Sequence, residues 1–518
     1  MPGSQPPFRN YVENNLDILG AAPEREVLVH GDRRVTGGEL RALVHRLARA
    51  LRERGVGRGD TVTLLSGNLP EAIAVRYAAH LLGCRVNHLY NKLSAEAQAT
   101  IVHDVETRAL VVDPRYADRA AEIVAQAPVD TVLTLGPAGS GSDLLEEAAR
   151  QSDEPVASRA RPEDVCAIRH TGGTTGRPKG ICSTFAQLSG AQTHELIPLG
   201  EERRQLVCTT LAHAAGMFAD STLYHGGTVV LLEDFDPAAV LAAIERERIT
   251  HLFLLPPLLY QLLDHPAADS TDASALRAVI YGGCQASPAR IADAVRRLGP
   301  VLVQFYGQSE AGGITLLTAG EHDLERPHLL RTVGKVMPGV EVSIRDESGA
   351  ELPSGAHGEI CVRSAQIMRG YWKQPELTAE VLRDGWIHTG DVGRLDDEGY
   401  LTVVDRLKDM IIVVGGHVYT SELEDLLNSH PDVLQSAVFG VRDADHMERV
   451  HAVVVARPGG DDGGLERGLR ELVRKERGAM YEPASIVFAG SLPLTEAGKP
   501  DKNALRQEAA NRYALASA

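Results

Sequence analysis

The chain lacks most of the features that would assign it at once. Its six cysteines (Cys84, Cys166, Cys182, Cys208, Cys284, Cys361) are scattered, with no CxxC pair, and its 19 histidines include no HExxH. A zinc site is therefore not expected, and dispersed thiols suit a reducing cytoplasm. No block of basic residues exists, and Lys+Arg 53 against Asp+Glu 70 leaves a formal charge of −17. That disfavours nucleic acid or an anionic membrane as the main partner, so a phosphate-bearing ligand must be held by a local site. The amino terminus, MPGSQPPFRNYVENN, has no basic segment followed by an apolar run and does not read as a signal peptide. The longest apolar stretch, Leu252–Leu263, is interrupted by Pro256 and Pro257 and is too short to span a bilayer.

What is present is an ordinary globular composition, 43% apolar over 518 residues, too long for a single core. EVLVHGDRRVT reads as extended chain, after which Thr36 and Glu39 stand at capping-box spacing. Leu40, Leu43, Val44, Leu47 and Leu51 follow at helical spacing, and Gly55 is a stop. TVTLL (61–65) is a strand, Pro70 suits a first helical turn, and ALVVD (109–113) and TVLTL (131–135) continue the alternation. Repeated βαβ units predict a mostly parallel sheet covered by helices. GPAGSGSD (136–143) and PGGDDGG (458–464) read as surface loops. Beyond Asp405–Lys408 come short strands (LQSAVFGV, RVHAVVVA) and one helix, Leu465–Arg477, a smaller α+β unit. The expected fold is thus α/β, with a large N-terminal domain of stacked αβ layers (1–405) and a smaller, mobile α+β domain (406–518).

The loop TGGTTGRPKG (171–180) is rich in glycine and threonine ahead of Lys179. Glycine lets backbone N–H groups approach an anion, and hydroxyls add donors. A glycine-rich surface turn would share that composition. GxxxxGK[ST] does not fit: counting from Gly172 the sixth residue is Arg177, and Pro178 precedes the lysine. No GxGxxG follows the early strands either, which leaves a dinucleotide dehydrogenase without support.

TGGTTGRPKG resembles the signature loop of the adenylate-forming superfamily of acyl- and aryl-CoA synthetases, luciferases and peptide-synthetase adenylation domains. Six further segments resemble that family's motifs, in its order: TLAHAAG (210–216), YGGCQAS (281–287), FYGQSE (305–310), WIHTGD (386–391), DRLKDMI (405–411) and LPLTEAGK (492–499). The resemblance implies an AMP-forming acid–thiol ligase using ATP, Mg²⁺ and CoA: a carboxylic acid is adenylated with loss of pyrophosphate, then transferred to the CoA thiol. The alternative is an adenylating enzyme that loads a carrier protein or hands its adenylate to another enzyme. Partners would be a small carboxylic acid and CoA or an acyl carrier protein. Neither nucleic acid nor a membrane span is expected, and a homodimer is one oligomeric state the chain admits.

Carried over by position, Thr171, Gly173, Thr174, Thr175, Gly176 and Lys179 would hold the β- and γ-phosphates. Ser309 would touch the α-phosphate and Glu310 would bind Mg²⁺. Tyr306, with Gly307 beside it, would face adenine, and Gly282, Gly283 and Cys284 would meet its edge. Asp391 and Arg406 would take the ribose. Lys499 would bridge carboxylate and phosphate, and Lys408 would be the hinge about which the small domain turns. Gly415 and Gly416 would admit the thiol. His213, Ala214, Ala215, Met217, Phe218, Gly307 and Gln308 would surround the acid, His213 orienting the carboxylate unless it is simply packed. HAAG contains no acid to pair an amino group, and Asp220 lies further on, so an uncharged acyl or aryl acid is favoured. The chain departs from the family pattern at Gly172, where serine is common, and at Ile412, His417 and Thr420, where thiol transfer would be organised.

Overall fold

The computed structural model describes residues 8–171, 179–193, 203–413, 416–442, 448–457, 462–495 and 500–516. A large N-terminal domain is built on two mostly parallel sheets. One, nine-stranded, runs in space from Lys335–Val336 through Gly312–Leu317, Leu302–Gln308, Ala278–Gly282, His251–Leu254, Arg204–Val207, Thr228–Leu231 and Glu26–His30 to Arg33–Thr36. The other, eight-stranded, runs from Gly370–Tyr371 through Lys179–Thr184, Val165–Thr171, Arg85–His88, Thr61–Leu65, Thr107–Val112 and Thr131–Thr134 to Ser142–Asp143. Every residue of Thr61–Leu65 and Ala278–Gly282 is buried. Strands covered on both faces are mostly apolar, and the two buried threonines of Thr61–Leu65 have their hydroxyls hydrogen-bonded to Val105 O and Thr107.

Local signals act where they were read. Thr36 and Glu39 form the reciprocal cap of helix Gly37–Glu53, and Gly55 follows at φ +77°. Pro70 opens helix Pro70–Leu81, whose every residue is buried; its charged and polar members are partnered, Glu71 with Arg33, Arg76 with Asp220 and His80 with Tyr11. Leu252–Leu263 splits into strand His251–Leu254 and a helix from Pro256.

A third, five-stranded sheet is antiparallel and was not anticipated from the βαβ rhythm. Val340–Arg345, Gly358–Ser364, Trp386–Leu395 and Leu382–Arg383 lie in that order, and Leu401–Arg406 pairs with Trp386–Leu395. Trp386–Leu395 and Leu401–Arg406 are joined by the tight turn 396–400, with Gly399 at φ +83°, far too short for a parallel crossover. The smaller C-terminal domain packs helices Thr420–Asn428 and Asp462–Arg477 on strands Val433–Arg442, Glu448–Ala456 and Ser485–Phe488, around Leu423, Val438, Val454 and Leu469. The second helix begins three residues before the expected Leu465, because Asp462, Gly463 and Gly464 join its first turn. No described helix is long and apolar enough to cross a membrane.

Candidate active site

A polar centre surrounds Asp391. Trp386–Leu395 and Leu401–Arg406 are antiparallel, and their register sets Asp391 opposite Arg406. Arg406 Nε reaches Asp391 Oδ1 at 2.9 Å. From the neighbouring strand, Tyr306 donates its hydroxyl to Oδ2 at 2.7 Å and Gln308 its amide at 2.6 Å. The carboxylate is almost fully buried and accepts from three groups, an arrangement that fixes its orientation. Burial, and the carboxylate it faces, push the Tyr306 phenol well above its ordinary range, so it remains a donor. Gln308 also donates to Thr389 O at 3.1 Å. Its amide therefore serves the aspartate turn, whereas the sequence set it at the acid.

Glu359 supports this turn, and no local sequence signal marks it. Its Oε1 accepts from Gly390 N at 3.0 Å and its Oε2 pairs with His388 Nδ1 at 2.7 Å. Gly390, at φ +67°, accepts in turn from Leu407 N at 2.9 Å. The residue before Asp391 is thus tied to the next strand on one side and to the expected hinge on the other.

Ser309 and Glu310 occupy the turn between strands Leu302–Gln308 and Gly312–Leu317. Tyr371 donates its hydroxyl to Glu310 Oε1 at 2.9 Å, and Lys179 Nζ stands 5.6 Å from the centre of the same ring. One phenol ring thereby joins the end of the glycine-rich loop to the carboxylate. Glu310 Oε2 has no hydrogen bond among the described residues, so an oxygen ligand for a hard cation is available. Close approach explains two glycines: a Cβ at Gly282 would lie 2.1 Å from Phe305 O, and one at Gly307 2.4 Å from Gly312 O. Gly283 follows at φ +84°, with Cys284 partly exposed next to it.

The expected acid wall is helix Ala214–Tyr224. His213 is its cap residue, with its ring 6.1 Å from Tyr90. Phe218 packs on Phe253 and Phe305, with Ala214 and Met217 against the same cluster, and Ala215 is buried. Asp220 is committed elsewhere: Arg76 Nη2 and Tyr77 Oη donate to its Oδ1 at 2.7 and 2.8 Å inside the protein. It anchors the helix and is not available to an amino group.

At the junction, Lys408 is exposed in the turn after Leu401–Arg406. Thr420 N donates to Asp405 Oδ2 at 2.5 Å and Thr420 Oγ1 to Asp405 Oδ1 at 3.1 Å. Lys502 Nζ donates to Thr420 Oγ1 at 2.7 Å and pairs with Glu424 at 2.8 Å. Gly173, Thr174, Thr175, Gly176, Gly415 and Lys499 lie outside the described residues, as do the side chain of Thr171 and the surroundings of Gly416.

Comparison with known proteins identifies the family. Residues 19–372 match the family model described as AMP-binding enzyme, and residues 422–499 match the AMP-binding enzyme C-terminal domain. The chain is similar to a medium/long-chain-fatty-acid–CoA ligase of Mycobacterium tuberculosis, 38% identical over 96% of this chain and 90% of that one. It is also similar to a feruloyl-CoA synthase of Amycolatopsis, 36% identical over 94% and 96%. Among solved structures it resembles an amide bond synthetase from Marinactinospora thermotolerans, 41% identical, TM-score 0.89, over 96% of this chain and 99% of the other.

Proposed function

The chain belongs to the AMP-binding enzyme family, and we propose on that premise that it is an ATP-dependent acyl- or aryl-CoA ligase of the AMP-forming acid–thiol class. The observation that carries the reading is the Asp391 centre: a buried, charge-paired carboxylate held by Tyr306, Gln308 and Arg406 within a chain matched by both family models. Asp391 and Arg406 receive the ribose, with Tyr306 and the Gly282–Cys284 edge beside adenine. Thr171, Gly173, Thr174, Thr175, Gly176 and Lys179 hold the phosphates, and Ser309 the α-phosphate.

The acid's carboxylate attacks the α-phosphorus, breaking its bond to the pyrophosphate, although both reactants are anions. Positioning and charge screening therefore supply the rate. Lys499 meets charge developing between carboxylate and phosphate, and His213 orients the acid. Glu310, one of whose carboxylate oxygens has no hydrogen bond among the described residues, would hold Mg²⁺. When bound, that ion neutralises phosphate charge.

In the second half-reaction the CoA thiol attacks the acyl carbon and AMP leaves. The small domain, taken as 406–518 with the large one as 1–405, turns about Lys408 between the two steps and brings Gly415 and Gly416 to the thiol. Six cysteines that form no disulfide, five of them buried, fit a reducing cytoplasm. Acid-dependent pyrophosphate release across fatty and aryl acids, with and without CoA, tests the assignment. Release that no acid stimulates would overturn it.

A second reading is favoured by the 41% identity to an amide bond synthetase and by the bonds that tie Thr420 to Asp405 across the hinge. There the same adenylate would be discharged to an amine. Supplying CoA, a carrier protein or simple amines to enzyme loaded with one acid separates these outcomes.

A further inference from the structure

Strand Val165–Thr171 carries an arginine in an unusual position. Val86 pairs with Ala167 across parallel strands, so two residues on, His88 and Arg169 share one face of the sheet. Arg169 Nη2 donates to Ser183 Oγ at 3.1 Å, but its Nε is buried without a partner. The Glu310 charge acts on it through space, yet no carboxylate among the described residues pairs with the guanidinium. Burial lowers the Arg169 pKa, though a guanidinium stays charged at neutral pH. A partly buried cation with a shielded donor and no anion beside it is costly to maintain, and a bound anion would relieve that cost.

The neighbours extend the pattern. His88 Nε2 and His170 Nε2 are also buried without hydrogen-bond partners. Burial pushes His88 down to about 3 and His170 to about 4, so both rings are neutral; His170 Nδ1 lies 3.1 Å from the Asn87 amide oxygen and holds that ring's proton, which leaves His88 as the imidazole able to present an N–H. Arg169, His88, His170 and Tyr90 line a narrow cavity of about 20 Å³ with Ala212 and His213, the edge of the expected acid wall. That is room for one small polar group. No carboxylate lines it.

We propose that this cavity is a specificity subsite that takes a negatively charged or polarised oxygen of the substrate acid, distinct from the carboxylate that is activated. The sources are a second carboxylate or a carbonyl oxygen. The inference rests on the reading that His213 and helix Ala214–Tyr224 border the acid, and it replaces the expectation of an uncharged acid.

The test uses the full-length enzyme with linear monoacids of three to ten carbons, the matching α,ω-diacids and the matching terminal methyl ketones. At one or more chain lengths, wild type should show at least tenfold higher kcat/KM in pyrophosphate release for the diacid or the ketone than for the monoacid. Arg169→Met should lower that value at least tenfold more for the oxygenated acid than for the monoacid, with little change in KM for ATP. The diacid and ketone arms separate charge from polarity. Arg169→Gln, which retains donors without charge, provides a second variant should the first fail to fold, and should impair the diacid more than the ketone.

A preference for monoacids throughout would overturn the proposal. So would an equal loss for all three classes, or a rise in KM for ATP alone, which would assign Arg169 to phosphate. Thermal shift separates failure of the subsite from failure of the ligase reading. If no acid supports turnover, a rise in melting temperature with diacid or ketone in wild type but not in Arg169→Met still supports the subsite, and equal shifts refute it.

Discussion

Asp391→Asn probes the site at its centre. The substitution preserves shape but removes the charge that Arg406 faces at 2.9 Å and turns one acceptor into a donor. Tyr306 and Gln308 already donate to Oδ2 at 2.7 and 2.6 Å, so one orientation of the amide sets donor against donor, and the other sets its NH₂ against Arg406. Hydrogen bonds to an ionised group contribute about 1.5–3 kcal/mol each. Because three protein donors share this carboxylate, its two bonds to a ribose diol are taken at the lower limit, about 3 kcal/mol together. That corresponds to roughly a hundredfold weaker binding. KM for ATP should rise by about that factor in acid-dependent pyrophosphate release, while KM for the acid changes little and a calorimetric scan shows a folded enzyme. A folded variant whose KM for ATP stays within about threefold of wild type would refute the reasoning, since even one such bond is worth about tenfold.

Other outcomes follow from the same geometry. Lys499→Ala should slow adenylate formation by roughly a hundred- to thousand-fold, the cost of one aimed transition-state charge, with acid-dependent pyrophosphate exchange as readout and near-wild-type exchange as the contrary result. Burial raises the Asp405 carboxyl to about 6, Lys502 opposing. A folded-state pKa above the unfolded value means that the protonated form stabilises the fold below about pH 4, and that this contribution is lost as pH rises through about 6. Asp405→Asn should therefore be relatively more stable near neutral pH than near pH 4, by up to about 3 kcal/mol, and a melting-temperature difference that moves the other way would contradict this. Thr420→Pro fits a first helical turn but removes both donors to Asp405. It should accelerate acyl transfer to CoA relative to adenylation in single-turnover experiments; an unchanged ratio would show that these bonds do not restrain the hinge.

Much of this architecture is written locally. Thr36 with Glu39, Pro70 and the fully buried Thr61–Leu65 act within one element, and their outcome is readable from neighbours in the chain. The antiparallel sheet was missed because its tight turns resemble loops until the strands on either side pair. Asp391 was identified only through its motif, as an aspartate after glycine is ordinarily a turn residue. Its partners Tyr306 and Gln308 are 85 and 83 residues away, and Tyr371 is 61 residues from Glu310. These contacts join elements of different sheets, so they are set by how the sheets pack together, which no short window encodes. Glu359 and Arg169 sit in ordinary strand patterns, and only the partners they have, or lack, distinguish them.

The central claim is acid activation through an adenylate followed by transfer to CoA. Purified enzyme incubated with ATP, an activating acid and CoA should form acyl-CoA, AMP and pyrophosphate in equal amounts, with all three absent when the acid is omitted. AMP and pyrophosphate formed at the same rate with no thioester would contradict the transfer step, and the absence of acid-dependent pyrophosphate would contradict the whole account.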